Sequence, residues 1–432
     1  MSLYSSKIKS DLIDPIVDIQ NNRVEFKLTS GTGYYPTLRL TNFGTIGANV
    51  AYNRGAGPFG LIRRIRLLNG AEELSSLNDA GRYMTFKFFN NRNSDNQSLF
   101  MPLYHHLQGY VLTDGLQVED SLRADYFQPQ AGDADQVKAE KSVTVNLMEL
   151  LPMLQNVPVL DTNMFEDLRI QIEYSTDANE VLNVTGNDFA TLSPVLVADE
   201  IQDPKLVQAL SAQMKSVVWN EIETDLITVN GNDNPDDNEK VQSVKTPISG
   251  FDNKYVSRLL MTKAFQDSTK DKVNGAGNEN RNFGPFNSYA QHKEKINFAL
   301  NGKNIFVGDG LDTPAKKLML LSDTYGSCNQ VPFGHIESVG NDDPTNASAN
   351  KIGVPTQRGT KQGDRVGTMD FVGCMIESRV NRLEIVYERA TPKNDDGNLA
   401  IDQLGLALNL HFFAEVRKQL VVENGRYMIA YV

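Results

Sequence analysis

DLRIQIEY, residues 167–174, alternates without a break: Leu168, Ile170, Ile172 and Tyr174 are apolar, and Arg169, Gln171 and Glu173 between them are polar. Successive side chains of a strand point to opposite faces of its sheet, so this period of two reads as a strand with one face on a core. The pattern recurs on both sides. Upstream, Val24, Phe26 and Leu28 alternate with Glu25 and Lys27, and Val143, Val145 and Leu147 with Thr144 and Asn146. Downstream, Ile296, Phe298 and Leu300 alternate, as do Leu383, Ile385 and Tyr387; the longest run is Leu404, Leu406, Leu408, Leu410 and Phe412. Gly, Asn, Asp and Pro separate the runs, as turns require. The chain is therefore predicted to be all-β, and many short strands with long loops fit a sandwich or jelly roll better than a tight barrel.

A half-chain repeat is visible. RLEIVYER (382–389) is a counterpart of residues 167–174, and LLNG (67–70) pairs more weakly with ALNG (299–302), each a strand running into an Asn-Gly turn. Aligned on Asn-Gly, however, the apolar phases before the two turns differ by one residue. Four segments read as helical. Residues 3–20 suggest a short N-terminal helix interrupted at Pro15. Residues 74–89 (LSSLNDAGRYMTFKFF) mix a helical turn with a following strand, and 147–154 (LMELLPML) form a turn stopped near Pro152. Residues 204–214 (PKLVQALSAQM) begin with Pro and align Leu206, Val207, Leu210 and Met214 on one face, as a helix linking two domains. The polar stretches 230–240, 266–288 and 339–368 read as long loops, which usually have a use or are flexible.

Composition bounds the function. With 432 residues, 40% hydrophobic and 22% charged, the chain has room for two soluble domains. A net charge of −12 argues against a protein whose main task is neutralising phosphates. No apolar run reaches the ~18 residues of a membrane span, and MSLYSSKIKSDLIDPIVDIQ lacks the apolar core of a signal peptide, so signal-dependent export is not expected. Cys328 and Cys374 form no CxxC or zinc spacing and read as free thiols in a reducing compartment.

No motif carries catalytic chemistry. GAGPFG (55–60) matches GxGxxG, but LIRRIRLLNG after it reads as a strand where a phosphate-binding helix is needed, and Pro58 sits inside the loop. The histidines His105, His106, His292, His335 and His411 have no zinc spacing, and His411 falls on the polar phase of a long strand. HExxH and GxSxG are absent. Asp233, Asp236, Asp237 and Glu239 cluster without EF-hand spacing, interrupted by Pro235, and read as a solvated loop. LIRRIR (61–66) concentrates Arg63, Arg64 and Arg66; on a strand, Arg64 and Arg66 would share a face with Ile62, and Ile65 and Leu67 would share the other with Arg63. That segment is a solvated strand face or, functionally, a subunit or anion contact. Asn-x-Ser/Thr triplets at Asn96, Asn183 and Asn346 are read as chance. No catalytic, cofactor-binding or metal residue is assigned, and the chain is not expected to be an enzyme.

Three segments in order carry a family resemblance: GPFGLIRRIRLLNGAEELSSLNDAGRYMTFKFFNN (57–91), LQNVPVLDTNMFEDLRIQIEY (154–174) and LNLHFFAEVRKQLVV (408–422). Together they resemble the double jelly-roll major capsid proteins of tailless, membrane-containing icosahedral dsDNA phages, the lineage shared with adenovirus hexon. The resemblance implies two tandem eight-stranded jelly rolls with an N-terminal arm and a few short helices. The expected divisions are 1–21, N-terminal arm or helix; 22–202, first jelly roll; 203–216, linker helix; and 217–432, second jelly roll. It further implies homotrimeric, pseudo-hexameric capsomers that contact neighbouring capsomers, penton and minor capsid proteins, and internal viral membrane lipid. No sequence-specific nucleic-acid binding is implied, and the location is the virion, after synthesis in the host cytoplasm. The amphipathic N-terminal segment, with Ile8, Leu12, Ile13, Ile16 and Ile19 among charges, is suited to contact neighbouring trimers or lipid.

Two other classes stand beside this reading. A carbohydrate- or receptor-binding viral β-sandwich, spike or lectin-like, needs exposed aromatic platforms, yet the one tryptophan, Trp219, lies in an apparent strand. A jelly-roll enzyme needs clustered His ligands, as in a cupin, or two converging carboxylates, as in a glycoside hydrolase.

Overall fold

Each half of the chain folds its alternating runs into the same eight-stranded pattern. The computed structural model describes residues 8–19, 22–41, 45–46, 57–90, 144–176, 189–190, 194–230, 240–266, 293–308, 310–325, 337–338, 365–366, 371–391, 407–423 and 426–432. In the first half the strands are β1 (Ile8–Ile13), β2 (Arg23–Lys27), β3 (Arg39–Thr41), β4 (Ile62–Asn69), β5 (Glu72–Asn78), β6 (Thr144–Asn146), β7 (Leu168–Tyr174) and β8 (Val195–Ile201). In the second they are β9 (Ser216–Val229), β10 (Lys240–Pro247), β11 (Tyr255–Phe265), β12 (Lys293–Leu300), β13 (Lys303–Asn304), β14 (Val372–Arg379), β15 (Leu383–Thr391) and β16 (Leu408–Glu423).

The antiparallel pairings order them as β1-β8-β3-β6 and β2-β7-β4-β5, then as β9-β16-β11-β14 and β10-β15-β12-β13. Adding eight to every label of the first half gives the second. In each half the opening strand lies beside the closing one and two sheets face each other, which is the jelly roll. Short strands extend the sheets: Val17–Ile19 beside β2, Gly33–Tyr34 between β8 and Leu160–Asp161, and Arg426–Tyr431 beside β16.

Period-two alternation places the cores. Val24, Phe26, Ile65, Leu67, Ile170, Ile172, Leu40 and Leu196 fill the first sandwich, and Ile296, Phe298, Leu383, Ile385, Leu410 and Phe412 the second. Each such side chain removed from water contributes roughly 1.5–3 kcal/mol. The polar phase of β7 faces outward and is laced to its neighbours: Arg169 pairs with Glu25 at 2.9 Å and with Asp167 at 2.8 Å, and Lys27 with Asp167 at 2.7 Å.

The suspected repeats occupy equivalent places. β7 and β15 are both the seventh strand of their half, each lying between that half's second and fourth strands. The hairpins β4–β5 and β12–β13 explain the one-residue phase difference. In the second the turn residues are Asn301 and Gly302, with φ of 52° and 84°; in the first they are Gly70 and Ala71, because Asn69 still pairs with Glu72. Aligned on the turns themselves, Ile65 and Leu67 fall on Ile296 and Phe298.

Several local expectations are corrected. Residues 8–13 and 17–19 are strands where a helix was read: Pro15 forbids a continuous helix, and β1 pairs along its whole length with β8. In 74–89 the order is reversed, β5 first and then helix α1 (Ala80–Asn90). The corner is Asp79 at φ 50°, whose carbonyl accepts from Tyr83 N. Pro152 starts helix α2 (Pro152–Asn156) instead of stopping one, because the first helical position needs no N–H. In β4 a bulge at Arg63 returns Ile62 to the buried face with Ile65 and Leu67.

Helix α3 (Pro204–Ser211) forms as read between the halves, capped by Asp203, whose carboxylate accepts from Lys205 N at 3.0 Å. Helix α4 (Pro314–Tyr325) follows β13 as α1 follows β5. The repeat therefore extends to a helix in the same connection of each half.

Candidate functional site

Where the two sandwiches meet, the molecule buries its most unusual polar groups. β9 and β16 are long, 14 and 16 residues, and run out of the second core onto the first. Val217, Trp219, Ile222 and Leu420 on this ribbon belong to the first sandwich's apolar cluster. On the opposite face of β16, Phe413 and its neighbour Leu260 of β11 are covered by α1. Tyr83 packs at a tilt against Phe413 with ring centroids 5.6 Å apart, and Phe86 meets Phe371 at 5.5 Å and Tyr325 of α4 at 4.8 Å. Aromatic pairs at these separations add about 0.5–1.5 kcal/mol each to their area burial. Burial raises the Tyr83 and Tyr325 hydroxyls well above the usual phenol range.

Glu221 is the central polar residue of the seam. It is 1% exposed and accepts from Trp219 Nε1 at 2.7 Å, Ser75 Oγ at 2.9 Å and Ser76 N at 3.0 Å. Burial raises its carboxyl, opposed by the charge of Lys418 and by these hydrogen bonds. Lys418 also lies 3.9 Å from Glu223, which pairs with Lys254 at 2.5 Å and accepts from the Tyr431 hydroxyl at 2.6 Å. The last strand closes the far end: Tyr427 donates to Glu72 at 2.6 Å, accepts from Asn69 Nδ2 at 2.6 Å, and packs its ring 4.7 Å from Phe165.

A second, half-buried pair sits at the β5–α1 corner. His411 Nδ1 lies 3.3 Å from Asp79 Oδ2. Burial and the Arg82 charge push His411 down to about 4, against the pull of Asp79, so the ring is neutral at pH 7 and Nδ1 carries the proton that it donates. For Asp79, burial acts upward, but the hydrogen bond from His411 and the charges of Arg82 and Arg63 bring the carboxyl below its ordinary value.

One cleft of about 530 Å³ opens along the seam, lined among others by Lys87, Glu149, Gln155, Asn220, Glu415 and Arg417. Its carboxylates are engaged: Glu149 pairs with Lys87 at 2.9 Å, and Glu415 stands 3.8 Å from Arg258 and accepts from Ser257. Among the described residues no group of three or more His, Cys, Asp or Glu side chains stands together to hold a metal ion.

The residues singled out in the sequence are dispersed. Arg64 pairs with Glu73 at 2.9 Å and Arg66 with Glu173 at 2.6 Å, so both arginines answer carboxylates on adjacent strands. Gly57–Leu61 is a single 3-10 turn entering β4. Trp219 is 2% exposed and offers no platform to a sugar. Cys374 is a buried free thiol, pushed up to about 12 by burial. His105, His106, His292, His335, Cys328, the acidic residues 233–239 and Asn96, Asn183 and Asn346 lie outside the described residues. Glu221, Asp79 and the seam role of His411 were missed. The available signal was Phe413, an apolar residue on the polar phase of β16, which marks a strand covered on both faces.

No protein-family model matches the chain, and no curated protein sequence matches it. Solved structures do. VP54 of PBCV-1, fitted into a reconstruction of the virophage Sputnik, aligns at TM-score 0.57 and 10% identity, over 100% of this chain and 98% of its own. The mavirus major capsid protein aligns at 0.53 and 10%, over 100% and 91%, and the Faustovirus major capsid protein at 0.52 and 8%, over 98% and 93%. With both jelly rolls and the seam between them accounted for, the chain has the double jelly-roll fold of these viral major capsid proteins from one end to the other.

Proposed function

We propose that this chain is a structural subunit of a viral capsid: a major capsid protein that forms homotrimers of pseudo-hexagonal outline and tiles an icosahedral shell. The observation that carries the reading is the exact repetition of strand order in two sandwiches fused along a buried seam. Three such chains supply six similar units, the number a hexagonal tile needs. Neighbouring capsomers, penton and minor capsid proteins, and lipid of an internal membrane are the partners of such a tile. The virion is its location, after synthesis in the host cytoplasm. We divide the chain into an N-terminal arm at 1–21, a first jelly roll at 22–202, the linker helix at 203–216 and a second jelly roll at 217–432. The role is structural rather than enzymatic.

Light scattering coupled to size exclusion, with negative-stain imaging of the peak, tests this. A trimer with a hexagonal outline is expected. A monomer at micromolar concentration with no higher assembly would overturn the capsomer reading and return attention to glycan binding.

A further inference from the structure

A shell subunit has no use for the cleft along the seam, yet the two walls of that cleft carry complementary chemistry. On the β16 wall, half-buried Arg417 holds its guanidinium carbon 4.4 Å from the centre of the Tyr255 ring. Tyr255 is itself fixed, because its hydroxyl donates to Glu377 at 2.8 Å. Among the described residues Arg417 has no carboxylate partner, whereas Glu415 on the same wall is answered by Arg258 and Ser257. A guanidinium stacked on a ring presents a pre-set fork of N–H donors, which matches a carboxylate through two parallel hydrogen bonds.

The other wall comes from α1, the 3-10 turn Leu147–Glu149 and α2, and it offers acceptors. Gln155 donates its amide to the Met148 carbonyl, and Asn156 donates to the Pro152 carbonyl at 2.9 Å. Among the described residues their side-chain oxygens remain open to a donor. Lys87 donates to Glu149 O at 3.1 Å and Oε2 at 2.9 Å, which leaves Oε1 in the same condition. Lys87 and Arg417 balance Glu149 and Glu415, so the lining is electrically neutral and favours neither a metal cation nor a multiply charged anion. Val218, 46% exposed, adds an apolar lip, while buried Trp219 gives a neutral sugar no ring to stack on.

A ligand that satisfies both walls carries one carboxylate for the Arg417 fork and several hydroxyl donors for the acceptors. Neutral sugars lack the first and acidic amino-acid side chains lack the second. The cleft volume of about 530 Å³ lies in the range of small-molecule sites. We propose that the cleft binds a sugar acid of the uronic type, its carboxylate on Arg417 and its hydroxyls on Gln155, Asn156 and Glu149. Recognition of an acidic sugar is then a function beyond assembly, and it does not depend on the oligomeric state.

Saturation-transfer NMR on the full chain tests this with D-glucuronate, D-glucose and N-acetyl-aspartate as probes. Glucuronate is expected to bind with a Kd on the order of 1 mM, as suits a ligand this small. Glucose should bind about 10- to 100-fold more weakly, the effect of losing a hydrogen bond to a charged group. N-acetyl-aspartate, with carboxylates but no hydroxyls, should also be weaker. Arg417→Met keeps an apolar stem on Tyr255 and should abolish the preference for glucuronate over glucose. Gln155→Ala, at an exposed position, should weaken both sugars alike, with circular dichroism checking that each variant is folded. No transfer from glucuronate at about 10 mM, well above the expected Kd, overturns the site. Glucose equal to glucuronate, or an unchanged preference in Arg417→Met, overturns the role of Arg417. N-acetyl-aspartate equal to glucuronate overturns the sugar and leaves a site for acidic peptides.

Discussion

Asp79 and His411 stand 332 residues apart in the chain and 3.3 Å apart in space, joining the β5–α1 corner of the first sandwich to the longest strand of the second. Because His411 is held neutral at about 4, below the ordinary 6.5, the folded state refuses a proton that the unfolded chain accepts. The stability this group contributes is complete above about pH 6.5 and is lost as pH falls through 4. Asp79, also lowered, loses its contribution in the same direction but further into acid. His411→Asn keeps a donor near Nδ1 and cannot titrate. Between pH 7 and pH 4 the wild type should lose up to about 3 kcal/mol more than this variant in urea unfolding. Equal losses would show that His411 does not set the acid limit.

Glu221 predicts the opposite slope. Its raised carboxyl favours folding most in acid, and that contribution declines as pH rises through the folded value. Glu221→Ala leaves the Trp219 N–H, the Ser75 hydroxyl and the Ser76 N–H without their acceptor and should cost about 1–3 kcal/mol. Trp219 is the chain's one tryptophan and lies in the seam, so its fluorescence reports seam opening directly. In wild type the fluorescence and circular dichroism transitions should coincide. In Glu221→Ala the fluorescence transition should come first.

Tyr427→Phe keeps the ring on Phe165 and removes only the hydroxyl between Glu72 and Asn69. A hydrogen bond to a carboxylate is worth about 1.5–3 kcal/mol. Thermal melting should fall accordingly, and a change near zero would mean that water replaces both bonds.

Two glycines with left-handed φ should respond differently to alanine. Gly302, at 84°, has open space around it, so Gly302→Ala should cost about 1 kcal/mol of backbone strain. Gly310, at 71°, would bring the new Cβ to 2.5 Å from the Ile296 carbonyl oxygen and break the register of β12. Gly310→Ala should cost several times more, read as urea midpoints of the two variants side by side.

Alternation made the sandwiches legible: Leu168 to Tyr174 and Leu383 to Tyr387 bury the residues that their period assigns. What escaped was set by single-residue shifts and by distant cover. The bulge at Arg63 moves Ile62 across the sheet without leaving a mark in composition. Gly70 and Asn301 open equivalent turns, yet the letters align Asn69 with Asn301, which hid the repeat by one place. His411 sits on the polar phase of its strand, as read, and is buried nonetheless because α1, from the other half of the chain, lies over it. A local pattern reports which face a residue takes, and only the tertiary fold decides what covers that face.

The pairing of opening and closing strands also imposes an order in time. Ile8 meets Ile201 and Ser216 meets Val421, so each sandwich closes only after about two hundred of its residues have been made. During synthesis the first sandwich can close while the second is still being built, since domains generally fold as units from the N-terminus. Throughout that interval Tyr83 and Phe86 have no Phe413 or Phe371 to cover them. The nascent chain thus carries an uncovered aromatic flank until its last fifth emerges, and the speed with which β16 arrives sets how long a neighbouring chain can capture it.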